Sequence, residues 1–237
     1  TSARFRPLNG PLGRPCRLAV LISGAGTNMA ALLYAAKAAG RGTWATLKAG
    51  KIAARGPLMS GERLVSAIEW NELDVDYQPI LFAGLLKQWG QKGPAEIEPK
   101  RAWTFRQIAW QAHQLGIPIA TPAQHPFNPL ALLRLLHGCA GEGGTPNRWQ
   151  CERVFHHVWR GGADANDAQR LAELQARLAP TRAPDDESVK QSLKDLTGQA
   201  LAAGIFGVPT VEVDSKYFWG LDALDMVAAL LRGDPWF

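Results

Sequence analysis

The segment that decides the fold is G-I-F-G-V-P-T-V-E-V at residues 204–213, followed by Y-F-W-G-L-D at residues 217–222. A helical run precedes the Val208-Pro209-Thr210 step, and a short β-branched run follows it. An X–Pro bond is the one place where a cis peptide costs little, so we predict a cis bond between Val208 and Pro209. This bond turns the backbone N–H and C=O of Val208 outward, where an extended peptide can pair with them. The alternative is an ordinary trans proline that opens a strand.

The composition is that of a globular protein, because 46% of the 237 residues are hydrophobic and can form a full core. No apolar run reaches the roughly 18 residues that span a bilayer, and the chain opens without a secretory leader pattern. We therefore expect a cytoplasmic protein with no membrane partner. The cysteines Cys16, Cys139 and Cys151 are scattered and form no C-x-x-C pair, which argues against a dithiol–disulfide oxidoreductase.

The net charge of +5 is concentrated at the front of the chain, where no Asp or Glu precedes Glu62. The basic residues there are dispersed rather than clustered, which is typical of a solvated basic arm. The sequence has no zinc-knuckle, helix-turn-helix or aromatic ribonucleoprotein signature. We therefore expect no nucleic-acid partner.

The first third of the chain contains two predicted strands. Residues 17–22 (R-L-A-V-L-I) are an apolar run typical of a buried strand, and a glycine turn at residues 23–27 leads into a helix at residues 28–39. Residues 41–61 are rich in Gly and Lys without periodicity, and we interpret them as a linker. Residues 75–81 alternate as a second strand does.

Helices fill the middle of the chain, and a hairpin and a last helix close it. The predicted helices are residues 83–89, 99–115, 129–139, 146–160, 168–179 and 186–203, several of which open with Pro or Asp. Strands at residues 210–213 and 216–219 are joined by Asp214-Ser215, and a helix follows at residues 222–231. This order predicts the α/β class and a thioredoxin-like fold with an all-helical insertion domain.

We divide the chain into three parts on this basis. Residues 1–63 contain a leader, the strand, glycine turn and helix fragment, and the linker. Residues 64–82 and 184–237 form the predicted thioredoxin-like domain, and residues 83–183 form the predicted helical insertion domain.

Four stretches of the chain carry a resemblance to one enzyme family. They are P-I-L-F-A-G-L-L-K-Q-W-G-Q-K-G-P-A-E-I-E-P-K-R at residues 79–101, H-P-F-N-P-L at residues 125–130, G-I-F-G-V-P-T at residues 204–210 and F-W-G-L-D at residues 218–222. With them, residues 68–237 resemble 2-hydroxychromene-2-carboxylate isomerases and the related kappa-class glutathione transferases. The resemblance implies glutathione as cofactor, a soluble cytoplasmic homodimer, and isomerisation of a small aromatic breakdown intermediate.

The resemblance also implies a set of glutathione-binding residues. Val208, beside Pro209, would pair with the cysteinyl backbone of glutathione. Asp222, at the start of the last helix, would hold the γ-glutamyl amine, since a carboxylate is favoured at a helix N-terminus. Lys100 matches a lysine near the glycyl carboxylate, and Gln91 falls where relatives carry Asn. Capping for Asp222 and a solvated helix start for Lys100 are the alternative interpretations.

Candidate substrate residues come from a helix and a loop. Trp103 shares one helix with Phe105 and Trp110, at spacings that fit either a core or the wall of an aromatic substrate pocket. Asn128 lies in a loop that the resemblance brings near the substrate, and it is also suited to cap the next helix.

We predict no metal site in this chain. His156 and His157 are adjacent in sequence, so they point to different faces of their helix. They do not form the i, i+4 pair of a zinc-binding helix.

The chain departs from the family at its front. Relatives begin with a strand and an Asp-Phe-x-Ser-Pro turn whose serine activates the glutathione sulfur, but here residues 68–70 run directly into residues 71–74 and the next strand. Residues 17–39 instead resemble the opening of phosphoribosylglycinamide formyltransferase, whose S-G-x-G-[ST]-N turn cradles a phosphate at a helix N-terminus. That family's catalytic set and folate site are not matched downstream, which excludes formyl transfer.

Two interpretations of the front are open. It is either a leftover segment that leaves one side of the sheet unpaired, or the strand at residues 17–22 and its helix fill the empty place in the sheet. In the second case Ser23 or Thr27 would lie at a helix N-terminus near Val208 and substitute for the missing serine. The glycine turn has two further interpretations. It either binds an anion through Gly24, Gly26, Thr27 and Asn28 or is purely structural.

Three classes of function follow. The first is a glutathione-dependent isomerase, in which the cofactor thiolate adds reversibly to a conjugated enone and allows bond rotation. The second is a glutathione-binding transferase or a non-catalytic relative that has lost the activating serine. The third is an anion-binding module built on the glycine turn.

Overall fold

The computed structural model describes residues 16–20, 75–115, 118–141, 143–220, 222–231 and 234–237. The glycine turn with Ser23 and Thr27, the predicted helix at residues 28–39 and the linker at residues 41–61 lie outside the described residues.

Four strands form one sheet in the order β2-β1-β3-β4. Strand β1 (Cys16–Val20) runs parallel to β2 (Val75–Pro79), with Cys16 opposite Val75 and Val20 opposite Pro79. On its other side β1 pairs antiparallel with β3 (Thr210–Val213), placing Leu18 opposite Val211. Strand β1 is therefore central and has a hydrogen-bonded neighbour on each side. Of the two interpretations of the front, the strand that fills the empty place in the sheet is the one observed.

The hairpin forms as predicted. Strand β3 pairs antiparallel with β4 (Lys216–Trp219), and Thr210 lies opposite Trp219. Asp214 and Ser215 connect the strands with φ values of 49° and 61°. A two-residue turn of this kind has positive φ at both positions, and its backbone twist matches that of the strands it joins.

Helices lie between β2 and β3 and after β4. They are α1 (Phe82–Gln88), a 3₁₀ helix (Pro94–Glu96), α2 (Glu98–Leu115), α3 (Leu130–Cys139), α4 (Arg148–Trp159), α5 (Ala168–Leu178), α6 (Glu187–Ala202) and α7 (Leu224–Leu231). Each predicted helix from residue 83 onward is present, with ends that differ by one or two residues. Among the described residues, no helix is both long and apolar enough to span a membrane.

A capping box explains the shift at the start of α4. Helix α4 begins after Asn147, whose carboxamide oxygen accepts a hydrogen bond from Gln150 N while Gln150 Oε1 accepts one from Asn147 N. This reciprocal capping box sets the start of α4 two residues after the predicted position at Pro146. Asp186 is the N-cap of α6, but its carboxylate accepts a hydrogen bond from Ala183 N in the preceding loop.

The apolar side chains form three clusters. The largest lies among the helices of the insertion and contains Leu132, Leu133 and Leu136 of α3, together with Val154 and Val158 of α4. A second cluster joins the end of β2 to α1, α6 and the loop before β3; it contains Ile80, Phe82, Leu85, Ala200 and Val208. A third packs α7 against the hairpin through Val211, Val213, Phe218 and Val227.

Two side-chain hydrogen bonds connect the helices to the end of β2. His137 Nε2 on α3 lies 2.9 Å from the carbonyl oxygen of Pro79, and both groups are buried. Thr197 Oγ1 on α6 accepts a hydrogen bond from Leu81 N at 3.0 Å and donates one to Leu193 O. Buried polar groups are costly when unpaired, so these bonds stabilise the packing of α3 and α6 against the end of β2.

Candidate functional site

The loop between α6 and β3 is held to the fold at alternate residues. The Ile205 carbonyl accepts a hydrogen bond from Trp89 Nε1 at 3.1 Å, and the Gly207 carbonyl accepts one from Thr210 Oγ1 at 2.7 Å. The Pro209 carbonyl accepts one from Gly220 N at 3.0 Å. These three carbonyls therefore face protein partners. We name residues 205–209 the proline loop.

Val208 is the exception in the proline loop. Its side chain is buried and packs with Ile80, Phe82, Leu85 and Ala200. Within the described part of the chain, no hydrogen bond engages the backbone N–H or carbonyl of Val208. An anchored side chain beside a free donor and acceptor is the arrangement by which a strand edge receives an extended peptide.

Two peptide bonds preceding proline are cis among the residues that the structure describes. The bond between Val208 and Pro209 is cis, as predicted. The bond between His125 and Pro126 is also cis, which the sequence analysis missed. The intrinsic difference between the two isomers before proline is small, so the tertiary surroundings decide it.

Phe206 of the proline loop and Trp219 of β4 form an aromatic pair. The rings of Phe206 and Trp219 lie 5.0 Å apart between centroids at 59°, and each side chain is more than 40% exposed. Gly207 lies directly under the indole, because a β-carbon at this position would come within 3.0 Å of three atoms of the Trp219 ring. Only glycine allows this approach. The pair gives the loop an apolar, accessible edge.

Asp222 reaches the same region from the start of α7. Gly220, which donates to Pro209 O, has a φ of 89°, and a β-carbon there would overlap Asp222 Oδ1. The exposed carboxylate of Asp222 therefore lies next to the residue that pairs with the proline loop. It precedes the first residue of α7, Leu224, by two positions, where the helix dipole favours a negative charge.

Gln91 and Lys100 lie on exposed positions after α1. Gln91 follows Trp89, the residue bonded to the proline loop, and its N–H donates to Leu86 O at 2.9 Å. Lys100 is exposed in the first turn of α2. Among the contacts of the described residues, none joins Lys100 to the proline loop.

The interpretation that the aromatic side chains of α2 belong to a core is wrong for Trp103 and Trp110. Trp103 and Trp110 are 60% and 53% exposed, whereas Phe105 packs against the helical core. Asn128 is exposed, and its Oδ1 accepts a hydrogen bond from Leu130 N at 3.1 Å, so it caps the start of α3. Pro129 occupies the N-cap position itself. A role of Trp103 or Asn128 toward a substrate stays a prediction.

His125 occupies an aromatic niche that the sequence did not reveal. Its ring lies 4.9 Å from Phe105, 6.3 Å from Phe127 and 6.0 Å from Trp159 between centroids. Both ring nitrogens are buried, and neither has a hydrogen-bond partner among the described residues. Burial, and then the charge of Arg101, lower the pKa of His125 from 6.5 to about 4. The imidazole is therefore neutral at pH 7.

The burial of His125 makes the free energy of unfolding depend on pH. The His125 pKa is lower in the folded state than in the unfolded chain, so its contribution is complete above about pH 6.5 and is lost as the pH falls toward 4. We expect H125F to reduce the acid-induced loss of unfolding free energy by at most about 2 kcal/mol, allowing for solvent screening. Urea unfolding of both proteins at neutral and acidic pH measures this difference. An equal loss in H125F and the unsubstituted protein would contradict it.

Cys139 and Cys151 are not arranged for redox chemistry. Cys139 and Cys151 are free thiols, and burial raises the pKa of Cys139 to about 11 and that of Cys151 further. A thiol must ionise to act as a nucleophile, so burial suppresses reaction at both. No group of three or more His, Cys, Asp or Glu within these residues is arranged to hold a metal ion.

The sheet order, the parallel β1–β2 pair, the β3–β4 hairpin and the helices between β2 and β3 define a thioredoxin-like protein with a helical insertion. The chain belongs to the DSBA-like thioredoxin domain family, whose sequence profile matches residues 60–232. The predicted fold class is thereby confirmed.

Similar proteins agree with this assignment. Glutathione S-transferase kappa 1 of Rattus norvegicus is 26% identical over 184 residues, covering 70% of this chain and 80% of the relative. 2-Hydroxychromene-2-carboxylate isomerase of Sphingobium xenophagum is 23% identical over 167 residues, covering 66% and 82%. A solved structure of 2-hydroxychromene-2-carboxylate isomerase shares the fold, with a TM-score of 0.66, 16% identity, and coverage of 92% of this chain and 94% of that one. The predicted resemblance to these enzymes is confirmed.

Proposed function

We propose that this protein binds glutathione at the proline loop and isomerises 2-hydroxychromene-2-carboxylate or a similar aromatic compound. The observation that carries the proposal is that the backbone N–H and carbonyl of Val208 have no hydrogen-bond partner among the described residues, between neighbours whose carbonyls are bonded. Relatives named as a kappa-class glutathione transferase and as a 2-hydroxychromene-2-carboxylate isomerase support the choice of ligand and reaction.

The residues around Val208 fit the chemistry of glutathione. The cysteinyl unit of the tripeptide would pair with the Val208 backbone as one strand pairs with another. The Asp222 carboxylate, close to Gly220 and to the start of α7, would receive the γ-glutamyl ammonium group through a charge-assisted hydrogen bond. Lys100 would attract the glycyl carboxylate, and Gln91 would supply amide hydrogen bonds.

The chemistry requires a thiolate and an apolar place for an aromatic substrate. Bound glutathione would supply the thiolate, which adds to the conjugated double bond, permits rotation about the resulting single bond, and leaves with the double bond restored. The Phe206–Trp219 pair offers a stacking surface beside Val208. Trp103, exposed on α2, and Asn128 are the other proposed substrate contacts.

Ser23 and Thr27 are the proposed substitutes for the family serine that activates the sulfur. Strand β1 ends at Val20, three residues before Ser23 and seven before Thr27, and lies between β2 and β3. Ala19 lies opposite Thr210, so the C-terminal end of β1 is next to the proline loop, and this supports the assignment. An unchanged glutathione-dependent rate in the S23A/T27A double variant would refute it.

The proposal keeps the division into a thioredoxin-like domain at residues 64–82 and 184–237 and a helical insertion at residues 83–183. The cytoplasmic location and the homodimer are also parts of the proposal. Light scattering of the purified chain measures the dimer directly.

A glutathione-binding transferase is the second candidate function. It is favoured by the kappa-class relatives, of which the proteins from Rattus norvegicus and Homo sapiens are 26% and 24% identical to this chain. Turnover of a hydroxychromene carboxylate, measured with and without glutathione, separates the two candidates. Binding of glutathione without isomerisation would reject the isomerase.

The binding step has its own test. We expect D222N to weaken glutathione binding by about tenfold, because the substitution removes the charge that pairs with the γ-glutamyl ammonium group. Asp225, also exposed and in the first turn of α7, provides the matched control. Calorimetric titration of D222N and D225N with glutathione compares the two positions. Equal losses in both variants would mean that a general charge effect, rather than Asp222, determines affinity.

A further inference from the structure

A second concave surface lies between α4 and α5. Arg153, His156 and His157 of α4 face Arg170, Glu173 and Arg177 of α5, and with Leu174 they line an open cleft of about 270 Å³. The α5 residues recur at helical spacing, so they share one face of the helix. We name this surface the cationic cleft. None of its residues belongs to the proline loop or to the apolar cluster behind Val208.

Two of the charged residues in the cationic cleft are committed to protein contacts. Arg170 donates to His157 O at 2.6 Å and also to Asp164 O, which ties α5 to the end of α4. Glu173 Oε1 accepts a hydrogen bond from Gln169 Nε2 at 3.0 Å. With three guanidinium groups and one carboxylate, the cleft carries a formal surplus of two positive charges.

Arg153 and Arg177 carry the available positive charge. The pKa of Arg153 is lowered by burial first and by Arg177 next, so the two guanidinium groups lie close enough to repel. Arg153 Nε is buried and has no hydrogen-bond partner among the described residues. Its guanidinium carbon lies 6.0 Å from the centroid of the Trp149 ring, and this cation–π contact stabilises the positive charge.

His156 adds an unpaired nitrogen to the same place. Its Nε2 is buried without a partner in the described part of the chain, whereas His157 Nε2 lies 2.9 Å from Ala165 O. Burial, followed by Arg160, Arg153 and Arg177, lowers the pKa of His156 to about 4. The ring is therefore neutral at pH 7, and its nitrogen can donate to an anion. Buried polar atoms are normally satisfied, so this nitrogen is available to a water molecule or to a ligand.

We propose that the cationic cleft binds a small organic phosphate through Arg153, Arg177 and His156. A phosphate dianion matches the surplus of two positive charges and offers three acceptor oxygens to groups that converge from two helices. The cleft volume of about 270 Å³ is close to the lower end of the range for small-molecule sites. This site is independent of the glutathione site, because it uses different residues on different elements.

The experiment is a calorimetric titration of the full chain with phenyl phosphate and with inorganic phosphate at constant ionic strength. We expect saturable one-to-one binding that is weakened about tenfold in R177Q, whose side chain is exposed and whose loss leaves the core intact. R106Q removes the same charge from an exposed position on α2 and should bind as the unsubstituted chain does.

A second readout follows His156 itself. Phosphate binding should raise the pKa of the His156 ring, observed by NMR, and should leave that of His113 on α2 unchanged. Saturating glutathione should not alter the phosphate affinity. The proposal is overturned if binding is not saturable, if R106Q and R177Q lose affinity equally, if succinate binds more tightly than phosphate, or if glutathione competes.

Discussion

Replacing Gly207 with alanine is expected to destabilise the fold by about 1 to 3 kcal/mol and to weaken glutathione binding by about tenfold or more. The new methyl group would overlap the indole nitrogen of Trp219 and lie 2.9 Å from its Cε2. The ring packs at a tilt against Phe206, so relief requires either breaking that pair or moving the proline loop. Movement of the loop shifts the Val208 backbone, which is the group proposed to pair with glutathione.

Two variants make this test specific. W219A in the G207A background removes the ring that causes the overlap and should restore part of the unfolding free energy, measured by urea denaturation. G198A is the matched glycine control, because a β-carbon at Gly198 on α6 meets nothing within 4 Å and alanine is the better helix former. G207A with unchanged stability and unchanged affinity would show that the loop tolerates a side chain there.

Leu85→Ala is expected to lower the unfolding free energy by about 2 to 5 kcal/mol and, in addition, to weaken glutathione binding. Leu85 is fully buried on α1 and belongs to the cluster that contains Ile80, Ala200 and Val208. Its truncation leaves a cavity directly behind the proline loop, and the loop can relax into it. The Val208 backbone then loses the position that the packed side chain gives it.

Leu133→Ala is the control for cavity formation. Leu133 is equally buried, but it belongs to the helical cluster of α3 and α4, away from Val208. We expect a similar loss of stability and no change in glutathione affinity, both measured below the unfolding transition. L85V keeps more of the packing and should show a smaller version of both effects. Equal glutathione affinities in L85A and L133A would show that the packing behind Val208 has no influence on glutathione binding.

Much of the local structure was predictable because its causes are local. Residues of high β-propensity on each side of Asp214-Ser215 predicted both strands of the hairpin with the bounds observed. Glycine and proline residues at the helix boundaries predicted the helix ends to within a few residues. One of the remaining errors comes from a cap: the reciprocal bond between Asn147 and Gln150 sets the start of α4 and competes with the Pro signal at Pro146.

The candidate site was predictable in its motif and not in its surroundings. The Val-Pro-Thr step indicated Val208 and Pro209, but nothing in the spacing indicated that Gly207 lies beneath Trp219, twelve residues later. The exposure of Trp103 and Trp110 was likewise not readable, because an aromatic stripe on one helix does not state which neighbour covers it.

The sequence by itself determined the order of strands and helices, the hairpin turn, the proline loop and the family resemblance. These follow from residue type and short spacing, which act within a few residues. Tertiary structure alone decided that β1 lies between β2 and β3, that His125 enters an aromatic niche, and that Arg153, His156 and Arg177 converge on one cleft. Each of these needs contacts between residues far apart in the chain, and such contacts depend on how the elements pack rather than on the residues that form them.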